Sequence, residues 1–312
     1  MNKFFYASFL CLLLPLAGTA QKSVSYGGPQ IRFQDNTLKV WKLCDDPRTP
    51  EKSFQGMDIW GNTMISLRNY GWAVLMDFNG KKATRKGVFK LASWGHDNHA
   101  NVASFSNQFY KEGDKLPLLY VTRCFAEPDG RGMDKLAYVE RIDPDKMESS
   151  LVQKIWFNDE TSIFGGTTQW VIDRQNNFLY AYGNSRRTDK DVNTHPIMKF
   201  RIPPYRGAQD SLVILTREDA LECYHLEDSY TFAYQPIIQG AYIKNGLAFF
   251  PCGVGHDDQP SILFVWNLQN RSMQNVINLQ KQIPNEMEDC AEYDGDLIMQ
   301  CQKEYYRISF PK

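Results

Sequence analysis

The chain lacks every short motif that would name a chemistry on sight. It has no Gly-x-Ser-x-Gly elbow, no P-loop, no dinucleotide-binding glycine fingerprint and no Cys-x-x-Cys. It lacks a basic stripe, and a formal net charge of −1 gives no long-range pull on nucleic acid. Beyond the first twenty residues no apolar run is long enough to span a bilayer, so an integral membrane protein is not expected. No Pro/Ser linker or low-complexity stretch divides the chain, which argues for a single domain over residues 21–312. Helical periodicity is scarce too. Thr216 to Leu226 is the best candidate, for one or two turns.

What stands at the start is an address label. Lys3 supplies a positive charge, Phe9 to Leu16 an almost unbroken apolar run, and Gly18-Thr19-Ala20 a small-residue cleavage site before Gln21. Residues 1–20 therefore read as a signal peptide, and the mature chain is expected in a periplasm or beyond. Ser-Phe-Leu before Cys11 is a poor lipobox, so no lipid anchor is expected. Export permits disulfides, but a chain of this length buries an adequate core without them. Cys124, Cys252 and Cys301 occupy the same place in three repeats and should lie far apart. Cys290 and Cys301 share a hairpin and are the best pair. However, a turn centred on Asp294-Gly295 sets Cys290 opposite Leu297 to Met299 instead.

The dominant signal is a repeat. Gln55-Gly-Met-Asp-Ile-Trp-Gly-Asn-Thr-Met-Ile-Ser-Leu-Arg, Gln239-Gly-Ala-Tyr-Ile-Lys-Asn-Gly-Leu-Ala-Phe-Phe and Glu288-Asp-Cys-Ala-Glu-Tyr-Asp-Gly-Asp-Leu-Ile-Met-Gln share one pattern. Looser copies begin at Gln169 and at His99, the latter completed by Leu118-Leu-Tyr-Val-Thr. Each copy is a strand, a tight polar turn and a second strand. The turns Gly61-Asn62, Asn176-Asn177, Asn245-Gly246 and Asp294-Gly295 carry residues that tolerate positive φ. A hairpin returning every roughly 45 to 70 residues is how a β-propeller appears in sequence. Two further strands follow in most copies, for example Trp72 to Phe78 then Gly87 to Ala92, and Ile197 to Ile202 then Ser211 to Thr216. The last unit has three strands and then ends, while Gln30 to Gln34 and Asn36 to Leu43 precede the first unit. The expected fold is an all-β, five-bladed β-propeller closed by an N-terminal strand. The alternative is six blades, with Ala220 to Pro236 hiding an irregular one.

In a propeller, the loops entering the inner strands and those joining second to third strands share one face. Counting back from the turns places Gln55, Gln169, Gln239 and Glu288 at the channel mouth, with Asn101 as the match in the looser copy. A slip of one residue would turn some of them outward. The loops of the same face add His96, Asp97 and His99, then His256, Asp257 and Asp258, then Arg186, Arg187 and His195, and finally Glu286 and Asp289. His96, His99, Asp257 and Asp258 are the candidate metal ligands, for Ca2+ or Zn2+; the spacing is weak as a metal motif and implies no cofactor by itself. Arg186 and Arg187 suit a carboxylate or another anion. His99, His256, Glu286 and Glu288 are the candidate acid–base groups, since crowded carboxyls raise one another's pKa. At 13% aromatics the chain exceeds what an ordinary core needs. Trp60, Trp156 and Trp266 sit at alternating positions that pack between blades. Tyr70, Trp72 and Trp94 adjoin the loops, where sugar faces stack on aromatic rings.

His99-Ala-Asn-Val-Ala-Ser-Phe with Leu116-Pro-Leu-Leu-Tyr-Val resembles secreted propeller proteins of Bacteroidetes. The Gln-Gly start and the Asn-Gly hairpin are similar to five-bladed helveticin-J-like and teichoic-acid-biosynthesis-C-like proteins. That resemblance implies a cell-envelope or glycan setting and carries over no catalytic residue. The expected function is binding of a glycan or other polar ligand at the channel-mouth face. The alternatives are an extracellular polysaccharide hydrolase or lyase, or a scaffold for a protein partner, because the fold hosts all three.

Overall fold

A computed structural model describes residues 23–25, 38–46, 53–124, 135–164, 168–183, 193–205, 211–228, 239–257 and 259–310. Among the described residues, twenty-two strands form five sheets. Short β1 (Ser23–Ser25) and β2 (Lys39–Asp45) precede the first blade. That blade is the meander β3 (Phe54–Trp60), β4 (Thr63–Arg68), β5 (Trp72–Phe78) and β6 (Ala83–Lys90). The second contains β7 (Ala103–Phe105), β8 (Leu119–Thr122), β9 (Leu136–Asp143) and β10 (Glu148–Phe157). The third begins with β11 (Gln169–Asp173), β12 (Phe178–Tyr182) and β13 (Asn193–Arg201). Next along the chain come β14 (Ser211–Leu215) and β15 (Glu222–Asp228). The fourth blade is β16 (Tyr242–Lys244), β17 (Leu247–Cys252), β18 (Ile262–Asn267) and β19 (Ser272–Asn278). The fifth has β20 (Met287–Tyr293), β21 (Asp296–Cys301) and β22 (Glu304–Ser309). Its outermost strand is β2, antiparallel to β22 with Val40 opposite Ile308. The protein is thus a five-bladed β-propeller closed by an N-terminal strand. The expected segment Gln30 to Gln34 lies outside the described residues.

Turn chemistry explains the hairpins. Asn245 and Gly246 have φ of 52° and 72°, and Asp294 and Gly295 have 53° and 88°. Two successive positive φ values give the turn whose twist matches the flanking strands. The register follows: Cys290 faces Met299 and Cys301 faces Met287. All six cysteines of the described residues are free thiols.

Packing explains the blades. A strand alternates its side chains between two faces, and a propeller blade has a neighbour on each. In β4, Ile65 and Leu67 join the cluster toward the second blade, while Met64 joins the cluster toward the fifth. In β21, Leu297, Met299 and Cys301 face the fourth blade and Ile298 the first. Five such clusters fill the five seams. Trp266 is fully buried between the third and fourth blades, and Trp60 and Trp156 pack half-buried between the first and second.

One expectation fails around residue 216. Ser211–Leu215 does not complete the third blade. It crosses to the second, where β14 pairs in parallel with β10, Val213 opposite Ile155. The fourth strand of the third blade is β15, antiparallel to β13, and β1 adds a fifth, parallel strand beside it. The helix expected over Thr216 to Leu226 is a single 3-10 turn, Arg217–Asp219. The Thr216 amide and hydroxyl both donate to the Asp219 carboxylate, at 2.8 and 3.0 Å, which fastens the chain reversal between β14 and β15. Glu222 then anchors β15 on Lys199 at 3.0 Å and on Arg271 of the next blade at 3.2 Å. Residues 222–228 are therefore an outer strand of the third blade. Among the described residues there is no sixth blade.

Candidate functional site

Five inner strands converge on the axis, and the repeat's glycines let them approach. A Cβ on Gly56 would stand 2.5 Å from the Ala103 nitrogen, and one on Gly240 would stand 1.8 Å from Asp289 Oδ1. Neither glycine has a positive φ. The Gln-Gly pair is thus a close-approach device that carries its glutamine to the mouth of the channel.

At that mouth is a cavity of about 440 Å³ lined by Ser53, Phe54, Gln55, His99, Gln239, Glu286, Glu288, Gln302 and Lys303. The start of β3 and the loops before β7, β16 and β20 bring Gln55, His99, Gln239 and Glu286 together, and the β21–β22 turn adds Gln302 and Lys303. Glu286 is clamped: Gln239 Nε2 donates to its Oε1 and Gln302 Nε2 to its Oε2, each at 2.7 Å. Gln55 Nε2 donates to Ser53 Oγ at 3.2 Å, while Gln55 Oε1 is buried with no partner. No described side chain donates a hydrogen bond to the Glu288 carboxyl. Burial pushes that carboxyl well above the ordinary range, and the nearby charges of Glu286 and Asp289 push it further. Burial also lowers the His99 imidazole to about 4, so it is neutral at pH 7. Below the cavity, the Arg68 guanidinium lies 3.9 Å from the centre of the Phe54 ring and pairs with Asp46 at 2.8 Å, fully buried.

Of the register-derived ring, Gln55, Gln239 and Glu288 line this cavity. Asn101 lies beside it, donating from Nδ2 to the Gln239 carbonyl at 3.2 Å. Gln169 points to Cys124 Sγ, 3.7 Å away, and does not line the cavity. Asp289 is not a solvated neighbour of Glu288. It is fully buried and accepts the backbone N–H groups of Met57, Ala103, Ala241 and Cys290 at 2.8 to 3.1 Å. It therefore staples the inner strands of the first, second and fourth blades to the fifth. Asp58 is its counterpart near the far end of the channel, accepting the Phe105 N–H at 2.6 Å and pairing with Arg174. The sequence reading missed Asp58; the only signal was an acidic residue in the middle of a strand that is otherwise mostly apolar.

The remaining candidates are spread around the rim. His96 is exposed, edge-on to Tyr70 at 4.8 Å, and Trp94 is 36% exposed with the Lys90 ammonium 3.6 Å from its ring centre. Asp97 pairs with Arg123 at 2.7 Å. His256 and Asp257 are exposed in the β17–β18 loop, on the same end of the barrel as His99 by strand order. His195 is not a loop residue. It lies in β13, fully buried, with its ring centre 4.9 Å from that of Trp266. Arg186, Arg187 and Asp258 lie outside the described residues. Among the described residues no group of three or more His, Cys, Asp or Glu is arranged to hold a metal ion. Also among them, no helix is long and apolar enough to cross a membrane. The opposite end of the barrel carries an open hollow of about 460 Å³ between the β7–β8 loop and Tyr205, lined by Phe109 and Tyr110.

No family model matches the chain, and no curated protein matches it. Similar solved structures include the crystal structure of Myxococcus xanthus glutaminyl cyclase, at 11% identity and TM-score 0.47 over 87% of this chain and 96% of that one. They also include the WD40 β-propeller domain of Doa1, at 12% identity and TM-score 0.41 over 87% and 96%. At these identities, and with both TM-scores below 0.5, neither likeness speaks to this chain's chemistry.

Proposed function

We propose that the protein binds a polar small ligand, a glycan unit, in the cavity at the channel mouth. One observation carries this reading: three residues from separate repeats, Gln55, Gln239 and Glu288, line a single cavity with His99, Glu286 and Gln302. The volume of about 440 Å³ falls within the range of about 300–1,000 Å³ usual for small-molecule sites. Amide, carboxyl and neutral imidazole groups suit hydroxyl-rich ligands. Trp94 and Tyr70 on the rim offer rings for the rest of a longer chain. A ligand that binds only the folded state raises its melting midpoint. A glycan panel, run with calcium, with zinc and with chelator, is expected to yield a glycan-specific rise that Gln55→Ala with Gln239→Ala removes. A rise that survives both substitutions would move the site elsewhere, and a rise with metal alone would favour the His96–His99 and Asp257–Asp258 loops.

A second reading rests on Glu288. A carboxyl raised by burial and by a neighbouring carboxylate is the pattern of acid catalysis, and a hydrolase or lyase would use Glu288 as the acid. Turnover of the glycan found in the melting panel, lost in Glu288→Gln while binding persists, is the result that would favour it. Export belongs to the same proposal: mass spectrometry of the protein from the periplasm or medium should find a chain beginning at Gln21, and a chain retaining Met1 would remove it.

A further inference from the structure

The cavity has a one-sided hydrogen-bonding capacity. Glu286 is a carboxylate and accepts only, so Gln239 and Gln302 must both turn their NH2 groups toward it. This uses one N–H of each amide and turns the NH2 end toward Glu286, which leaves the two amide carbonyl oxygens for other partners. One Gln55 amide N–H is engaged by Ser53, and Gln55 Oε1 is left buried and unpartnered in a side chain only 3% exposed. The Glu288 carboxyl, 5% exposed, receives no hydrogen bond from a described side chain. A buried acceptor without a donor costs stability, and a ligand that supplies the donor recovers it. The charges lean the same way. Two carboxyl groups line the cavity against one lysine, Lys303, which is exposed at the rim.

We propose that the cavity recognises a primary ammonium group on a small polar body, with Glu288 and Gln55 Oε1 as the acceptors that hold it. This rests on the channel-mouth reading above and narrows its ligand to an amine. A primary ammonium brings three donors and one positive charge, which matches the unfilled Gln55 acceptor and two adjacent carboxyl groups. Ammonium binding favours the carboxylate form of Glu288, whose pKa burial raises: any proton the carboxyl holds leaves to buffer as the O–H bond breaks and the carboxylate pairs with the ammonium. The groups that face Glu288 and set this equilibrium are Glu286 and Asp289 on its own segment, Arg68 and Cys301 on the neighbouring strands, and His99 and Lys303 on the cavity wall. The first two oppose ionisation and Arg68 favours it.

Two chemical sources carry such a group, an amino sugar and the amino end of an amino acid. Titration calorimetry of the whole mature chain at pH 7 would use glucosamine, N-acetylglucosamine, glucose and glycinamide as probes, each in two buffers of different ionisation heat. Glucosamine is expected to bind about ten-fold or more tightly than glucose and N-acetylglucosamine, a difference of about 1.4 kcal/mol or more. It should also release protons. Glu288→Gln should abolish that preference and the proton release. Lys303→Gln, an exposed rim change that cannot unfold the barrel, should tighten glucosamine binding. Glycinamide binding as tightly as glucosamine would keep the ammonium site and assign it to an amino terminus. Glucose binding as tightly as glucosamine, without proton release, would overturn the ammonium inference and leave the sugar site standing. No binding of any probe, with or without Lys303→Gln, would overturn both.

Discussion

Two single groups in the cavity put a pH signature on the protein. The His99 imidazole sits at about 4, below its ordinary 6.5, because burial disfavours the cation. Between those values the unfolded chain binds a proton that the folded chain does not, so stability falls as pH drops through that window. His99→Gln should remove about 2 kcal/mol of that loss, read as melting midpoints between pH 4 and 7. An unchanged acid limb would place His99 in water. Glu288 acts with the opposite sign. Its carboxyl is raised above 4.5 in the folded state, so its contribution is full below that value and fades as pH rises through the folded pKa. Glu288→Gln should flatten part of the decline on the alkaline side. Asp289, also raised by burial, supplies another part and would remain.

The inner hairpins have the narrowest tolerances of any element. Gly240→Ala would drive a Cβ to within 1.8 Å of Asp289 Oδ1, and a cost of about 3 kcal/mol or more is expected in urea unfolding. Gly61→Ala meets nothing within 4 Å and carries only the burden of φ +56°, about 1 kcal/mol. Equal costs at the two positions would mean that the strands do not approach as closely as described. Asp289→Asn keeps the shape but turns an NH2 group toward backbone N–H donors from other blades. Orphaning them should cost about 2–4 kcal/mol in the same measurement.

The whole ring depends on its closure. Strand β2 covers the edge of β22, and the residue that follows it, Asp46, neutralises Arg68, which is completely buried. The Tyr305 hydroxyl also donates to Asp46. Removing Asp46 would leave a buried guanidinium without its counter-charge, so Asp46→Ala should destabilise the entire propeller by about 3–5 kcal/mol. The loss should appear as one cooperative shift rather than as fraying of the fifth blade. A variant that melts in two steps would show that the fifth blade is not integrated with the rest.

Much of this architecture is written locally. Alternation of apolar side chains and turn residues such as Asn245-Gly246 act over a few residues, so strand positions, hairpin register and five repeats can be read without a fold. Cys290 opposite Met299 follows from the turn alone, and so does the chain's entry toward the inner strands at Gln55 and Gln239. What the tertiary structure decided is non-local. Ser211–Leu215 has the pattern of any outer strand, and only the open edge of β10 determines that it pairs with the second blade. Gln169 has the same place in its repeat as Gln55, but in the closed ring its Nε2 meets Cys124 Sγ of the neighbouring blade and it does not line the cavity. Asp289 stands next to Glu288 in sequence, yet period-two geometry turns it into the crowded axis, where backbone amides from three other blades await it. The chain specifies its strands by short-range sterics and patterning. The partners of an edge strand, and which polar groups share one cavity, exist only once the ring has closed.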